Sequence, residues 1–498
     1  MNIQRDDVGI VPYGDKLYTV ANNYICRDRL PDGPCKINHK RTVEDACPYG
    51  GIIVYITYKL QFTTHKSREE LPMKAIGIDI GTTSICGIII DAESGNVIKS
   101  VTKNSNAFIN STNVWEKIQS VDKIISLAME IINEFISEET AVIGVTGQMH
   151  GIVYTDKNGD AVSPLYTWQD ERGNLPYNNG TTYAKHLNSS AGYGNVTDFY
   201  NRVNGIRPDS AVSYCTIHDY FVMKLCGMKL PVIHTSDAAS FGCYDMENNS
   251  FTYDFNPEIT GEYRIAGKYR GIPVSVAIGD NQASVFSSIS DNDILLNVGT
   301  GSQISVVSDK IAKGTNIETR PYFENKYLIV GAALCGGRAY SMLKDFYTET
   351  FSYIKDLDEG AVYEIMNKML QNTQNPTLKA DTRFAGTRAD NTICGSIDKI
   401  NTGNFRPGEL VHAVLEGMVC ELYGMYGEMN VKRNSLVGSG NGVRKNAALV
   451  KIAEESFNSA MKIPAHLEEA AVGAALFGLV ANGTFETAND AQKLIKYI

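Results

Sequence analysis

The sequence lacks GxxxxGK followed by Ser or Thr, and this absence disfavours a P-loop nucleotide hydrolase. It lacks a CxxC pair, and its ten scattered cysteines indicate reduced thiols in a cytosolic protein. It lacks an excess of basic residues: the formal charge of -10 argues against a generic nucleic-acid or anionic-membrane binder. It also lacks an early apolar run long enough to span a bilayer, since residues 50–60 are too few. We therefore expect a cytoplasmic protein without nucleic-acid or membrane partners.

The length indicates more than one domain. A chain of 498 residues exceeds what one hydrophobic core usually serves, so two domains with a cleft between them are expected. Small ligands usually bind in such clefts.

Residues 1–72 differ from the rest of the chain, because Pro, Gly, Asn and Asp are interspersed there and apolar periodicity is weak. Met73 resembles an initiator, since regular strand patterns begin immediately after it. We expect residues 1–72 to be an extension of unknown role that can be poorly ordered and that is either an unrelated appendage or an upstream extension of the reading frame.

An internal repeat organises the remainder. Residues 75–91 and 293–309 share one layout of strand, Gly-containing turn and strand, and helical patterns alternate with strands between and after them. Two copies of one hairpin imply a duplicated α/β fold whose turns face a common cleft. The predicted domains are residues 73–290 and 291–498.

The two repeated turns have the residues that phosphate binding needs. Small residues allow close backbone approach, hydroxyls can donate to phosphate oxygens, and a neighbouring carboxylate can hold Mg²⁺ through waters. The alternative for either turn is a plain hairpin, and the presence of two copies favours phosphate binding. The residues are Asp79, Gly81, Thr82, Thr83 and Ser84 in the first copy, and Gly299, Thr300, Gly301 and Ser302 in the second.

Asp280 ends an apolar strand and precedes a helix of small residues. Capping that helix is the commoner use of Asp at such a boundary. The functional alternative is a general base that accepts a proton from a hydroxyl while a phosphoryl group is transferred.

Seven motifs in order resemble the FGGY family of carbohydrate kinases: DIGTTS, GQMHG, TWQDER, GDNQAS, NVGTGS, GSGNGVRKN and EEAAVGAAL. The resemblance covers residues 73 to about 480. It implies two actin-like (ribonuclease H-like) domains, ATP and Mg²⁺ as cofactors, and a small sugar as substrate. TGQMHGIVY, TWQDER and SDAASFGCYD resemble the sedoheptulokinase branch, and a xylulokinase-like or other polyol or ketose kinase is the alternative within the family. A monomer or homodimer is expected.

The resemblance also implies roles for individual residues. Asp280 matches the catalytic base, Asp79 lies near the metal, and the two turns surround the β- and γ-phosphates. Six residues match positions that contact sugar: Gln148, Met149, His150, Trp168, Asp170 and Arg172. Each of the last four has an alternative, because His150 can be a satisfied histidine at a strand end, Trp168 can be core packing, and Asp170 with Arg172 can be a surface ion pair.

The nucleotide base is expected near a second Gly-rich string. Gly438, Gly440, Asn441 and Asn446 match residues near adenine and ribose, although a simple strand-to-helix turn explains the glycines equally well. Gly336, Gly337 and Arg338 match a region near the nucleotide. FAGTR replaces the Gly-Glu-Arg of related kinases, which weakens any role for Thr387 or Arg388. The small residues of EEAAVGAAL predict tight packing of a helix on a sheet, with no chemistry.

Other protein classes share the duplicated phosphate turns. An actin-like ATPase or chaperone would lack the sugar motifs between the turns, and a phosphatase-like or polyphosphate-cleaving relative is a further alternative. A catalytically inactive sugar sensor is disfavoured because Asp79, Asp280 and both turns are present.

Overall fold

The computed structural model describes residues 8–13, 16–21, 24–26, 73–255, 257–388, 390 and 392–498. The chain divides into two compact units, Met1–Ser67 and Arg68–Ile498. The first unit contains an antiparallel sheet of β1 (Val8–Tyr13), β2 (Lys16–Ala21) and β3 (Tyr24–Cys26). Most of residues 1–72 lies outside the described residues, so the expectation about their order stays a prediction.

The second unit begins with a seven-stranded sheet and the elements around it. In chain order these are β4 (Lys74–Ile80), β5 (Ser84–Asp91), β6 (Val97–Asn104), β7 (Phe108–Ile109), β8 (Ile118–Gln119), α1 (Val121–Phe135), β9 (Thr140–Gly147), β10 (Val153–Thr155), β11 (Leu165–Tyr166), α2 (Tyr183–His186), α3 (Gly194–Val203), β12 (Ser213–Cys215), α4 (Ile217–Cys226), β13 (Val232–His234), α5 (Thr235–Ala238), β14 (Tyr244–Asp245), β15 (Ser250–Phe251), β16 (Glu258–Thr260), β17 (Ile265–Tyr269), β18 (Ile272–Ser275), β19 (Ile278–Gly279) and α6 (Asp280–Phe286).

This first sheet has the order β17-β18-β9-β4-β5-β6, and β19 also pairs with β9. β4 and β19 both run parallel to β9, whereas β5 and β6 are antiparallel to their neighbours. The carboxyl ends of three parallel strands therefore meet at one edge of the sheet, which is where α/β proteins usually bind ligands.

A six-stranded sheet follows in the order β22-β23-β21-β20-β26-β27. Its elements and the last helices are β20 (Asp293–Val298), β21 (Ser302–Ser308), β22 (Ile317–Pro321), β23 (Tyr327–Ala333), α7 (Gly336–Ser352), α8 (Glu359–Gln371), β24 (Lys379–Asp381), β25 (Ser396–Asp398), α9 (Pro407–Glu428), β26 (Ser435–Ser439), α10 (Gly440–Lys445), α11 (Ala447–Phe457), β27 (Met461–Lys462), α12 (Glu469–Ala481) and α13 (Ala488–Gln492).

The duplicated layout predicted from the sequence is confirmed. The β4-β5 and β20-β21 pairs are antiparallel hairpins of largely buried strands that contain several Ile and Val residues, and β4 and β20 each run parallel to a neighbour, β9 or β26. Each sheet thus carries one Gly-containing turn at the carboxyl end of a central strand.

The helix α12 packs closely against the first sheet, as its small residues predicted. A Cβ added at Gly77 would lie 1.9 Å from the Ala471 carbonyl oxygen, and one at Gly144 would lie 1.8 Å from that of Ala474. This approach requires glycine in the strands. By packing, α12 therefore joins the sheet of the predicted first domain, although it lies within the predicted range 291–498.

Buried apolar side chains form three large clusters: one on the first sheet with α1 and α4, one shared by both sheets with α12, and one on the second sheet with α7, α8 and α9. The shared cluster connects the two sheets through a continuous core. Among the described residues, the helices are too short or too polar to cross a membrane.

Candidate active site

Three of the sequence motifs converge at the edge of the first sheet. DIGTTS begins in the last two residues of β4, GQMHG begins at the last residue of β9, and GDNQAS begins at the last residue of β19. Ile80 pairs with Gly147, and Gly147 pairs with Gly279 on its other side. The turns after these strands are therefore neighbours, although they are more than 60 residues apart in sequence.

Two carboxylates occupy this edge. Burial, and then repulsion by Asp280, raises the pKa of Asp79 to about 7. Burial also raises the pKa of Asp280 to about 6, while His218 partly opposes the rise. Asp79 Oδ1 is buried and has no hydrogen-bond partner within the described part of the chain. The two carboxylates repel each other and are shielded from water, and one Asp79 oxygen has no partner. This arrangement indicates a site for cations or for proton transfer.

The capping alternative for Asp280 is not supported. Asp280 is itself the first residue of α6, and the N-cap position belongs to Gly279, which makes no side-chain capping bond. Asp280 thus does not hold the N-cap position, although its carboxylate accepts a hydrogen bond from the Asn281 backbone N–H, which lowers its pKa.

The first turn is held by a closed set of hydrogen bonds. Trp168 Nε1 donates to Thr82 Oγ1 at 2.9 Å, and Thr82 Oγ1 donates to Gln148 Oε1 at 3.3 Å. Gln148 Nε2 donates to Gln119 Oε1 at 3.0 Å, and Gln119 Nε2 donates to the Thr82 carbonyl oxygen at 2.6 Å. Gln119 was missed from the sequence, since it lies on the short strand β8 outside every motif. Predicted phosphate and sugar residues are thereby joined in one network.

The remaining residues of this turn lie at its surface. Gly81 and Thr82 are partly exposed, Thr83 is exposed, and Ser84 begins β5. Trp168 is 46% exposed, so it is not core packing. An exposed indole beside accessible hydroxyls is a surface that a ligand can contact.

His150 combines an unusual backbone with a satisfied ring nitrogen. Its φ is 72°, in the left-handed region that non-glycine residues rarely adopt. Its Nδ1 lies 3.0 Å from the Ser240 carbonyl oxygen, and its ring stacks on Tyr193 at 4.4 Å between centroids. Because a carbonyl only accepts, Nδ1 carries the proton and Nε2 remains an acceptor. Burial, then Arg320, lowers the pKa of His150 to about 4, so the ring is neutral.

Met149, Asp170 and Arg172 are buried, which the sequence did not reveal. Met149 is 6% exposed and packs on Gly279, where an added Cβ would lie 2.7 Å from Met149 Cε. Asp170 and Arg172 are 1% and 0% exposed, so the surface ion-pair alternative is wrong.

Arg172 donates to Asp170 through Nε at 2.6 Å and Nη2 at 3.1 Å, and through Nη1 to Asn201 at 2.5 Å. Asp170 also accepts from the Lys117 backbone N–H at 2.9 Å. A satisfied, buried, bidentate pair of this kind fixes the loop that carries Trp168. Direct contact of Asp170 and Arg172 with a sugar stays a prediction.

The second sheet contributes charged residues to the same region. Arg320, in β22, donates to Asn281 Oδ1 at 2.9 Å, next to Asp280, and it pairs with Glu318. Arg388 Nη1 lies 3.4 Å from Glu318. Arg320 and Glu318 belong to no motif, so the sequence did not identify them. Their position beside Asn281 shows that both sheets border one site.

The second Gly-rich turn is fastened to the start of α7. Gly337 N–H donates to the Gly299 carbonyl and Arg338 N–H to the Thr300 carbonyl, both at 2.9 Å. A Cβ at Gly336 would lie 1.9 Å from Ser302 Oγ, so only glycine permits this approach. Thr300 and Gly301 are exposed at the tip of the turn.

The GSGNG turn lies at the same edge of the second sheet. β20 and β26 are parallel, with Leu296 opposite Gly438, so the turns that follow them are adjacent. Gly440 has φ of 82°, and an added Cβ would lie 2.6 Å from the Val298 carbonyl oxygen. Asn441 is exposed, whereas Asn446 caps α11 by accepting from Leu449 N–H at 3.0 Å. Asn446 thus has a structural role as a helix cap, and its contact with the nucleotide stays a prediction.

A buried histidine adjoins the two carboxylates and was also missed. His218 Nε2 lies 3.0 Å from Asp237 Oδ2, and both side chains are fully buried. A Cβ at Gly147 would lie 3.0 Å from His218 Nδ1. The pair therefore packs against the end of β9, from which the GQMHG motif begins.

Comparison with known proteins agrees with this geometry. Residues 74–192 match the N-terminal domain of the FGGY family of carbohydrate kinases. Human sedoheptulokinase is 28% identical over 468 residues, covering 80% of this chain and 96% of that protein. Xylulose kinase of Staphylococcus epidermidis is 25% identical over 469 residues, covering 83% of this chain and 88% of that protein.

Solved structures agree on the fold. A ligand-bound xylulose kinase from Lactobacillus acidophilus superposes with a TM-score of 0.72 at 18% identity, covering 86% of this chain and 93% of that one. Plasmodium falciparum glycerol kinase with ADP gives a TM-score of 0.67 at 16% identity, covering 85% and 92%. The predicted fold of two actin-like domains with a cleft is confirmed. The ordered motifs, the duplicated fold and the relatives together show that the chain is a carbohydrate kinase that is similar to members of the FGGY family.

Proposed function

We propose that this carbohydrate kinase transfers the γ-phosphoryl group of ATP to a hydroxyl of a ketose, and that sedoheptulose is its best substrate. The observation that carries the mechanism is the position of Asp280, a carboxylate with a raised pKa at the edge of the first sheet, next to Asn281, which Arg320 of the second sheet contacts. A pKa of about 6 leaves this group ionised yet basic at neutral pH, which suits a general base.

Asp280 accepts the proton of the attacking hydroxyl as the oxygen–phosphorus bond forms. The bond between the γ-phosphorus and the bridging oxygen breaks, and ADP leaves with that electron pair. The transition state is loose, so positioning of the hydroxyl matters more than strong basicity.

The residues at the strand edge fit Mg²⁺ and nucleotide phosphates. Asp79 Oδ1 is buried and unpaired within the described part of the chain, and a hard cation with its waters would satisfy it. Bound Mg²⁺ would neutralise charge that develops on the phosphate oxygens. The backbone groups and hydroxyls of the turns at Thr82, Thr83 and Thr300 would hold those oxygens, and the GSGNG turn would border the nucleoside.

The sugar would lie against Trp168, with neutral His150 offering Nε2 as an acceptor. Gln148 holds Thr82 in place and connects the sugar side of the site to the phosphate side. We assign Asp170 and Arg172 the task of fixing the Trp168 loop. Closure of the two domains would exclude water, which competes with the sugar at the γ-phosphate. Use of ATP as the phosphoryl donor is consistent with the cytoplasmic location expected from the sequence.

The branch assignment is supported by the similarity to human sedoheptulokinase, and the similarity to xylulose kinases favours D-xylulose as the second candidate. The test is a panel of ketoses and polyols assayed for sugar-dependent ADP formation. Sedoheptulose should have the highest kcat/KM, D-xylulose a lower one, and glycerol the lowest. The highest kcat/KM for glycerol would refute the substrate assignment, and ADP formation that no sugar stimulates would refute the mechanism.

A further inference from the structure

The edge strand of the second sheet contacts the helix that begins with Asp280. β22 ends with Arg320 and Pro321, and the residues after Asp280 in α6 are Asn281 and Gln282. Arg320 Nη1 donates to Asn281 Oδ1 at 2.9 Å, and Gln282 Nε2 donates to the Pro321 carbonyl oxygen at 3.1 Å. Each bond joins residues that are 39 positions apart in sequence. The second sheet is therefore fastened to the first turn of α6 at two points.

Asn281 connects this contact to the carboxylate of Asp280. The side chain of Asn281 accepts from Arg320, and its backbone N–H donates to the Asp280 carboxylate. An Asn281 side chain that is held by Arg320 restricts the backbone of the same residue. It therefore also restricts the direction in which the Asp280 carboxylate points.

Arg320 is held in turn by its own strand. Its Nη2 pairs with Glu318, which lies two residues earlier on the same face of β22, and Arg388 Nη1 lies 3.4 Å from the Glu318 carboxylate. Only 17% of the Arg320 side chain is exposed, so little water competes for these bonds. A charged donor also makes a stronger hydrogen bond than a neutral one. The guanidinium group is thus already oriented to hold Asn281.

The contact between the two sheets does not depend on the Arg320 side chain. All residues of β22 pair with β23, which fixes the strand without that side chain. The fully buried Gln282 joins the same segments, since its Nε2 donates to the carbonyl oxygens of both Pro321 and Ser236. Loss of the Arg320 donors should therefore leave the sheets in contact and release only the Asn281 side chain.

We propose that Arg320 is a positioning residue for phosphoryl transfer, because it holds Asn281 from the second sheet while Asn281 holds the Asp280 carboxylate in place for the attacking hydroxyl. The inference rests on the proposed role of Asp280 as the general base. It assigns Arg320 no contact with the sugar or the nucleotide. The base is then fully oriented only when both sheets contribute to it.

The test compares Arg320→Met, which keeps an unbranched side chain and removes the donors, with Arg320→Lys, which restores a charged donor. In Arg320→Met kcat should fall about tenfold, since a misplacement of about 1 Å near the reacting atoms can cost up to about a hundredfold. The KM for sugar should stay within about threefold. The thermal midpoint should stay within about 3 °C. Arg320→Lys should recover at least about a third of the original kcat.

The matched control is Arg264→Met, because Arg264 is an exposed arginine that also pairs with a glutamate, Glu258. This variant should keep the original kcat. An unchanged kcat in Arg320→Met, a loss that appears only in KM, or an insoluble Arg320→Met protein would overturn the proposal.

A double-mutant cycle separates positioning of the base from a general structural role. When Asp280→Asn is already present, no base remains to be positioned, so adding Arg320→Met should change the residual kcat by less than about twofold. A further loss of about tenfold in that background would show that Arg320 acts independently of Asp280, and it would overturn the proposal.

Amide hydrogen exchange gives a readout that does not depend on catalysis. Residues 280–286 should exchange at least about threefold faster in Arg320→Met than in the unmutated protein, because the start of α6 has lost an anchor, while α1 should not change. Unchanged exchange at residues 280–286 would refute the role of Arg320 even in an active ketose kinase. An Asp280→Asn enzyme with nearly full activity would refute the proposed function instead, so the two failures are distinguishable.

Discussion

Replacing Asp280 with Asn tests the general base with little change of shape. The substitution removes the proton acceptor but keeps the size of the side chain. A positioned general base contributes roughly a hundredfold to ten-thousandfold, or about 3 to 5 kcal/mol of barrier. Because a loose phosphoryl-transfer transition state demands less of a base, we expect kcat to fall toward the lower end of this range. The KM for sugar should change little.

The Asp280→Asn variant should lose activity without losing thermal stability. A carboxyl whose pKa rises from 3.8 to about 6 on folding destabilises the folded state at pH values above 6, because the folded site disfavours its charged form. Neutral Asn removes this unfavourable charge, so the thermal midpoint should stay constant or rise by a few degrees.

The assay is kcat on the best sugar, with a melting curve for each protein, and the exposed Asp122→Asn serves as the matched control. In the unmutated enzyme, kcat/KM should decline as pH falls through about 6, where the Asp280 base takes up its proton. An Asp280→Asn enzyme that turns over within about threefold of the original would refute the reasoning.

Three other outcomes are expected. Gly144→Ala should lower the free energy of unfolding by about 1 to 3 kcal/mol in denaturant titration because its Cβ would meet α12. Gly424→Ala, inside α9 and with nothing within 4 Å, should instead raise it by about 0.5 to 1 kcal/mol, and equal stabilities of the two variants would contradict the packing. Trp168→Phe should lower kcat/KM about fivefold through loss of the bond to Thr82, and an unchanged kcat/KM would contradict this role of the indole. Deletion of residues 1–71 should leave a folded, active kinase, and an insoluble or inactive product would show that the kinase needs this segment.

The hairpins were predictable because their strands are locally distinctive. β-branched runs flank Gly-containing turns in both copies, and small residues in EEAAVGAAL indicated the close helix contact that Gly77 and Gly144 permit. Such features depend on neighbours in sequence, so the sequence alone reveals them.

The second layer of the site was not predictable. Gln119, Arg320 and His218 reach the site only because distant segments meet, and no motif contains them. The sequence did not predict the direction of side chains either. Asp170 and Arg172 lie in the same motif as the exposed Trp168, yet both are buried. A spacing pattern indicates which turn a residue occupies, but burial depends on the tertiary packing around that turn.

The most direct test of the account is the identity of the phosphorylated product. Purified protein with Mg·ATP and sedoheptulose should release ADP and form one sugar phosphate in equal amounts, detected by phosphorus NMR, while Asp280→Asn forms the same product far more slowly. ADP accompanied by inorganic phosphate, with no sugar phosphate from sedoheptulose, D-xylulose or any other sugar of the panel, would contradict the central claim.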